Sequence, residues 1–218
     1  MAKIDFHIIS AFPQITQSYF ADSIIKRAQA GKKIVIKAHN LRDFTTDKHR
    51  SVDDTPYGGG VGMVLKVEPI YKAWKSIRKK KNSRTILLSA SGQKLTQSRV
   101  KELAQVSQII LIAGHYEGVD ARVKNFIDEE ISIGDYVLTG GELGAAVIID
   151  AVTRLIPGVL GKYESTADES HSRPGVLEYP HYTRPEVFKP DRKTEWKVPK
   201  ILLGGHHAEI KKWRDDHR

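Results

Sequence analysis

Residues 129–155, EEISIGDYVLTGGELGAAVIIDAVTRL, contain the pattern that decides the fold. The segment Glu130–Ile133 is typical of a short strand, a glycine-bearing turn follows it, and an apolar helix is predicted from about Glu142 to Leu155. A strand that leads through a tight turn into an apolar helix is the repeating unit of α/β proteins. The stretch therefore predicts an α/β domain with a largely parallel sheet.

The sequence before this stretch continues the alternation of strands and helices. Strand patterns occur at Ile4–Ile8, 33–38, Thr85–Ser89 and Ile109–Ala113. Helical patterns occur before Gly31, over Glu68–Lys81, and after the predicted N-cap Thr96 as far as Val106. In such folds the functional groups lie in loops beyond the carboxyl ends of the strands.

Three of these strand-end loops are rich in small residues, namely 88–92, 114–118 and 134–141. Glycine allows the backbone N–H and C=O groups of a loop to approach a ligand closely. A glycine in any one loop could equally serve a tight turn. Three such loops at the ends of strands favour a shared pocket.

The net charge narrows the class of partner. The chain has 218 residues, with 35 Lys and Arg against 26 Asp and Glu, so its formal charge is +9. A basic surface favours an anionic partner such as nucleic acid or acidic lipid. A run of seven Lys and Arg without an acid lies between Tyr71 and Arg84, and it either neutralises phosphates or forms a solvated helix face.

Several classes of function are excluded or disfavoured. The absence of cysteine excludes disulfides, thiolate zinc sites, iron–sulfur ligation and a cysteine nucleophile. Neither a P-loop nor a dinucleotide-binding glycine motif occurs. The longest apolar runs, Ile109–Ala113 and Ala145–Ile149, are too short for a membrane span or a signal peptide. We expect a cytoplasmic protein without a membrane partner and without a metal site built from its own side chains.

Five long motifs, taken together, are specific enough to indicate a family. They are RDFTTDKHRSVDDTPYGGGVGM (42–63), GHYEGVDARV (114–123), SIGDYVLTGGELGAAVIIDAVTRLIPGVLG (132–161), LEYPHYTRPEVF (177–188) and GGHHAEIKKWR (204–214). Their combination closely resembles the TrmD family of bacterial tRNA (guanine-N1)-methyltransferases. The resemblance covers nearly the whole chain. It implies the SPOUT α/β fold with a deep trefoil knot, a small α-helical C-terminal domain and a homodimer.

The same resemblance implies a domain layout and a reaction. A donor-binding knot domain is expected at 1–160, a flexible linker at 161–180 and a short C-terminal tRNA-binding domain at 181–218. The implied reaction transfers a methyl group from S-adenosylmethionine to N1 of guanine 37 in tRNA, after guanine 36. The partner is the tRNA anticodon stem-loop, and Mg²⁺ is a further cofactor that the resemblance implies.

Site residues follow from the family pattern position by position. The positions that match the donor-binding residues are Leu88, Ser89, Gly114, Tyr116, Ile133, Gly134, Asp135, Tyr136, Val137, Leu138, Gly140 and Gly141. Glu117 matches the carboxylate that recognises guanine, and Arg154 matches the catalytic arginine near guanine O6. The loop that meets donor and tRNA contributes Arg42, His49, Tyr57 and Gly59.

The general base is ambiguous, because the family has an Asp followed by Ser where this chain has Asp168-Glu169-Ser170. Alignment on the serine selects Glu169, whereas the residue type selects Asp168. Either carboxylate could remove a proton from guanine N1. The chain also has His115 where arginine is common in the family.

Two alternatives belong to other classes or targets. One is a SPOUT methyltransferase that modifies another RNA nucleotide, against which Glu117 and the 177–188 motif argue. The other is a non-catalytic RNA-binding homologue, which the altered 168–169 region and the short C-terminal segment make conceivable.

Overall fold

A computed structural model describes residues 3–160, 169–173 and 175–218 of the chain. The chain divides into two compact units, Met1–Gly161 and Lys162–Arg218. The division into a knot domain, a linker and a tRNA-binding domain stays a prediction.

Strands and helices alternate along the first unit, as the sequence predicts. The strands are β1 (Ile4–Ser10), β2 (Ile34–Asn40), β3 (Asp53–Asp54), β4 (Val64–Leu65), β5 (Ser83–Lys94), β6 (Gln108–Ala113) and β7 (Glu129–Ser132). The helices are α1 (Gln17–Phe20), α2 (Ser23–Ala30), α3 (Val67–Ser76), α4 (Gln97–Leu103) and α5 (Glu142–Arg154). Short 3₁₀ helices occupy Pro13–Thr16, Leu41–Phe44 and Ala121–Phe126.

One five-stranded sheet in the order β2-β1-β6-β5-β7 organises this unit. Every neighbouring pair in the sheet is parallel. The carboxyl ends of β5, β6 and β7 therefore meet at one edge, which confirms the prediction of an α/β domain with a parallel sheet.

Both faces of the sheet are covered. Alternate residues of β1 and β6, including Phe6 and Leu111, are buried against residues of α2, α4 and α5. The other face, including Ile9 and Ile112, is buried against α3 and Leu41. Burial on both faces explains why β6 is apolar at almost every position.

Three elements end at other residues than the pattern predicts. Helix α3 stops at Ser76 rather than Lys81, because the backbone is extended from Ile77 onward. Helix α4 ends at Leu103 rather than Val106. Strand β5 runs past Ser89 to Lys94, where it pairs with β7 again after an irregularity between Leu88 and Gln93.

The second unit contains a helix, α6 (His207–Asp216), which confirms the helix predicted near the C-terminus. It also contains a two-stranded antiparallel sheet of β8 (Val187–Phe188) and β9 (Trp196–Lys197), which the sequence pattern did not reveal. Across the described ranges of both units, no helix has the length and hydropathy that a bilayer span requires.

Candidate active site

A cleft of about 490 Å³ lies beyond the carboxyl ends of β5, β6 and β7. Its walls are the three small-residue loops that the sequence singled out. Of the predicted donor-binding residues, the following line it: Leu88, Ser89, Gly114, Tyr116, Ile133, Gly134, Tyr136, Val137, Leu138, Gly140 and Gly141. The structure thus brings together eleven positions that are spread over more than fifty residues of sequence.

Asp135 is the predicted donor-binding residue that does not line the cleft. Its side chain is exposed and forms an ion pair with Lys94, at the end of β5. This pair ties the outer part of the 134–141 loop to the extended strand.

Gly141 closes the floor of the cleft by close backbone packing. Its N–H donates to the Gly114 carbonyl at 2.7 Å. A Cβ atom on Gly141 would lie 2.9 Å from both Ala113 Cα and Leu88 Cβ, closer than such atoms approach one another. Only glycine therefore allows all three loops to meet here.

A buried polar cluster supports this floor. Glu142, the first residue of α5, is only 3% exposed, and its carboxylate accepts a hydrogen bond from Ser10 Oγ at 2.6 Å. His115 Nδ1 lies 3.6 Å from the other carboxylate oxygen. This cluster connects the end of β1, the 114–118 loop and the start of α5.

Glu117, the predicted guanine-recognition residue, lines the same cleft and is exposed there. The preceding residue, Tyr116, has a left-handed backbone conformation with φ of 59°, which is uncommon for a residue other than glycine. The Glu117 N–H donates to the Met63 carbonyl at 3.1 Å. The backbone thus fixes Glu117 beside the C-terminal end of the 42–63 segment.

Further contacts join this segment to the cleft. The Leu65 N–H donates to Gly118 O at 3.0 Å, and the Asp120 N–H donates to Leu65 O at 2.9 Å. Gly62 has a φ of +92°, and a Cβ atom there would lie 2.5 Å from Glu117 Cγ. Glycine is required at this position, where the long loop passes over the carboxylate.

The predicted substrate-binding residues of the long loop do not line the cleft. Arg42 donates to Arg50 O at 3.3 Å, and the backbone of His49 donates to Asp47 at 3.1 Å. Hydrogen bonds from Ser51 lower the pKa of Asp47. Tyr57 is fully exposed, and a Cβ atom on Gly59 would meet open space. His49 and Tyr57 are exposed, whereas Arg42 is partly buried, and a role of these residues in substrate binding stays a prediction.

Arg154 lies at the opposite end of α5 from the cleft. A helix rises 1.5 Å per residue, so Arg154 is about 18 Å along the axis from Glu142. The structure does not bring Arg154 to the cleft of the same protomer.

Only one of the two candidate bases lies within the described residues. Asp168 lies outside the described residues. Glu169 is half-buried in the second unit, where its carbonyl accepts a hydrogen bond from the Ser172 N–H at 3.0 Å. The choice between them stays a prediction.

The charged residues that line the cleft restrict the class of ligand that it can bind. Among its lining residues the carboxylates are Glu117 and Glu130, and the one lysine, Lys124, pairs with Glu130 at 2.7 Å. A triphosphate would need several basic groups, whereas a neutral base and a cationic sulfonium need apolar walls, backbone hydrogen bonds and acidic side chains. The lining residues therefore fit S-adenosylmethionine better than a nucleotide phosphate.

Comparison with known proteins identifies the family. The model of the family "tRNA (Guanine-1)-methyltransferase TrmD" matches residues 4–218. The chain belongs to the TrmD family. A tRNA (guanine-N(1)-)-methyltransferase of Dictyoglomus turgidum is 54% identical, over 98% of this chain and 84% of that protein. One from Dehalococcoides mccartyi is 51% identical, over 97% of this chain and 84% of that protein.

A solved structure supports the same conclusion for the fold. The tRNA (m1G37) methyltransferase of Aquifex aeolicus superposes with a TM-score of 0.81 at 40% identity, covering 99% of this chain and 89% of that one. The SPOUT fold expected from the sequence is thereby confirmed. The trefoil knot stays a prediction.

Some residues that build this TrmD-family site were missed by sequence reasoning. Ser10 lies 132 residues before Glu142, so no local pattern pairs them. A signal was nevertheless present, because Glu142 is an acid directly before the apolar stretch Leu143–Ile149 of α5. Such a residue is buried only when it is paired or hydrogen-bonded.

Proposed function

We propose that this TrmD-family protein transfers a methyl group from S-adenosylmethionine to N1 of guanine 37 in tRNA, where guanine 36 precedes it. The observation that carries the proposal is the cleft formed by three glycine loops, with Glu117 fixed at its edge beside the tRNA-facing loop. Family membership supplies the substrate class and the donor.

The chemistry assigns separate tasks to the chain's residues. S-adenosylmethionine, when bound, supplies a methyl group on a sulfonium, which needs positioning rather than activation. Backbone groups of the 114–118 and 134–141 loops would position it. The carboxylate of Glu117 can accept hydrogen bonds from the N1–H and N2–H edge of guanine.

Proton removal must accompany methyl transfer, because guanine N1 carries a proton at neutral pH. The N1–H bond breaks and its proton passes to a carboxylate, Glu169 or Asp168. N1 takes the methyl group as the bond between that group and the donor sulfur breaks, and the remainder of the donor leaves as a neutral thioether. Negative charge that develops toward O6 is stabilised by the guanidinium of Arg154.

This arrangement would require a homodimer, because Arg154 lies at the opposite end of α5 from the cleft of its own protomer. Leu143 and Val147 lie one turn apart on α5 and are 55% and 44% exposed. Tyr19 and Ile15 extend this apolar surface, and Tyr19 donates to Asp150 of α5. A second copy packed on this surface would bring its own Arg154 toward the cleft of the first.

Mg²⁺ enters the proposal through the tRNA alone. Within the described ranges of the chain, no three His, Cys, Asp or Glu side chains are grouped to hold a metal ion. The proposed reaction runs no step through a protein-bound metal. We place the reaction in the cytoplasm, where tRNA is modified.

Primer extension tests the position and the atom together, since a methyl group on N1 blocks base pairing. A tRNA transcript with G36-G37 is incubated with the protein and S-adenosylmethionine, and a second transcript carries A37 instead. Reverse transcription is expected to stop at position 37 of the first transcript alone. Full-length extension of both, or a stop at another guanine, would overturn the proposal in favour of a non-catalytic protein or another target.

A further inference from the structure

A second cleft, of about 620 Å³, lies at the other end of the sheet. It is lined by Asp5 and His7 of β1, Lys37 and His39 of β2, and the 76–81 segment that follows α3. Gln108, which also lines it, begins β6, whereas the donor cleft lies past the end of that strand. Five residue steps of about 3.3 Å make the separation roughly 17 Å. We call this second cavity the basic cleft.

The basic cleft carries strong positive charge. Five Lys and Arg side chains line it, against the single carboxylate of Asp5: Lys37, Arg78, Lys79, Lys80 and Lys81. Lys80 Nζ pairs with Asp5 at 2.8 Å. Lys37, Arg78 and Lys81 form no ion pair with any side chain in the described ranges.

A buried glutamine holds the basic segment in place. Gln108 is 2% exposed, and its Oε1 accepts a hydrogen bond from the Lys80 N–H at 3.0 Å. Its Nε2 donates to the Arg78 carbonyl at 3.1 Å. Lys79 Nζ donates to the Trp74 carbonyl at 2.6 Å and lies 4.1 Å from the centre of the Trp74 ring. These contacts fix the backbone of Arg78 and Lys80 and the side chain of Lys79 before any ligand arrives, which lowers the entropic cost of binding.

Two histidines form the floor. The rings of His7 and His39 stack with centroids 5.2 Å apart, and His7 Nδ1 lies 2.9 Å from His39 Nε2. Burial, and then the charge of His39, lowers the pKa of His7 from 6.5 to about 4. Burial lowers the pKa of Lys79 to about 8. An anion in the cleft would offset the unfavourable energy of these protonated groups.

The carboxylate of Asp5 restricts the chemical class of anion that the basic cleft can bind. Its Oδ1 is buried and accepts no hydrogen bond from the described residues. A ribose hydroxyl beside a phosphate supplies such a donor. RNA offers both groups side by side.

We infer that the basic cleft binds the phosphate–ribose backbone of the tRNA outside the anticodon stem-loop. The inference rests on the proposed function, since it takes tRNA as the substrate. It gives the 72–84 basic run a role beyond that of a solvated helix face. The cleft would hold the body of the tRNA while the anticodon loop lies at the donor cleft.

The test compares two double variants that each remove two positive charges. Lys37→Gln with Lys81→Gln changes the basic cleft, and Lys26→Gln with Lys32→Gln changes exposed positions elsewhere. Binding of full-length tRNA and of the isolated anticodon stem-loop is measured by filter binding without methyl donor. The cleft variant is expected to bind full-length tRNA about five- to tenfold more weakly and to lower the salt slope by about 1 to 2. Its affinity for the stem-loop should be unchanged, and the control variant should match the native protein for both RNAs.

Three outcomes would overturn the inference. They are equal losses for both double variants, equal losses for both RNAs, and no loss for the cleft variant with either RNA. The assay does not depend on methylation. Tight tRNA binding that is insensitive to the cleft variant would therefore overturn this inference and leave the proposed function intact. Failure of the native protein to bind tRNA at all would overturn the proposed function as well.

Discussion

Ser10, the last residue of β1, donates a hydrogen bond of 2.6 Å to the buried carboxylate of Glu142, the first residue of α5. The same hydroxyl accepts a hydrogen bond from the Phe12 N–H at 2.8 Å. This contact joins β1, the strand beside the central strand of the sheet, to the helix that begins at the floor of the donor cleft. Both partners contribute to the placement of Gly141, although neither lines the cleft.

Removal of this hydroxyl is expected to destabilise the first unit. Ser10→Ala leaves a buried carboxylate without its hydroxyl donor, which costs about 1–3 kcal/mol. Urea denaturation measures the change, with the exposed Ser18→Ala in α1 as control. A Ser10→Ala loss no larger than that of the control would show that the contact contributes nothing.

Gly141→Ala is expected to disrupt the donor cleft. The new Cβ atom would collide with the backbone of Ala113 and the side chain of Leu88, so the loops must separate. Affinity for S-adenosylmethionine, measured by calorimetry, should fall by at least about tenfold, since each 1.4 kcal/mol of strain is a factor of ten. Gly205→Ala, where the added atom meets open space, should bind the donor as the native protein does. Native affinity in Gly141→Ala would show that the cleft floor does not touch the donor.

The histidine pair predicts a pH dependence of stability. The lowered pKa of His7, about 4, means that the folded protein binds fewer protons than the unfolded chain between pH 4 and 6.5. The free energy of unfolding therefore falls as the pH drops through this window, and His7 accounts for about 2 kcal/mol of the fall to pH 4.5.

His7→Gln should flatten this part of the pH profile, as measured by urea unfolding at pH 7 and pH 4.5. His49→Gln, at an exposed loop position of the same unit, should leave the pH difference unchanged. Identical pH differences in the native protein and His7→Gln would refute the assignment.

Mixed dimers test whether the active site is shared. Arg154→Ala removes the cation, and the double variant Asp168→Asn with Glu169→Gln removes both candidate bases. If the arginine and the base come from different protomers, each parent is inactive and a mixed dimer keeps one intact site. Methyl transfer by a statistical mixture should recover to about a quarter of the native rate, because half of its dimers are mixed and each has one site of two. No recovery in a verified mixed dimer would contradict the assignment of the arginine and the base to different protomers.

The sequence predicts those parts of the fold that local patterns control. The strand Ile109–Ala113 and the helix from Glu142 are confirmed, because each is a long enough run of one periodicity. The end of α3 was misplaced, since the segment Arg78–Lys81 is helical in composition but is held by Gln108 from another strand. Contacts between residues that are far apart in sequence cannot be predicted from the local hydrophobic pattern.

The candidate site was likewise predictable where local sequence patterns determine it and not where tertiary contacts do. The glycine loops were predictable as pocket walls, because three of them follow strands whose carboxyl ends meet at one edge of a parallel sheet. The ion pair that turns Asp135 away from the cleft could not be predicted, since it depends on the unexpected extension of β5 to Lys94. The roles of Arg154, Asp168 and Glu169 depend on the proposed dimer and on the tRNA, and they stay predictions.

The central claim is methylation of guanine 37 on N1, and mass spectrometry of tRNA nucleosides tests it most directly. A G36-G37 transcript is incubated with the protein, S-adenosylmethionine and Mg²⁺, then digested to nucleosides, beside a transcript with A37. The proposed reaction yields 1-methylguanosine from the first transcript and none from the second. Absence of methylated guanosine from the first, in a preparation that measurably binds the donor, would contradict the proposed function.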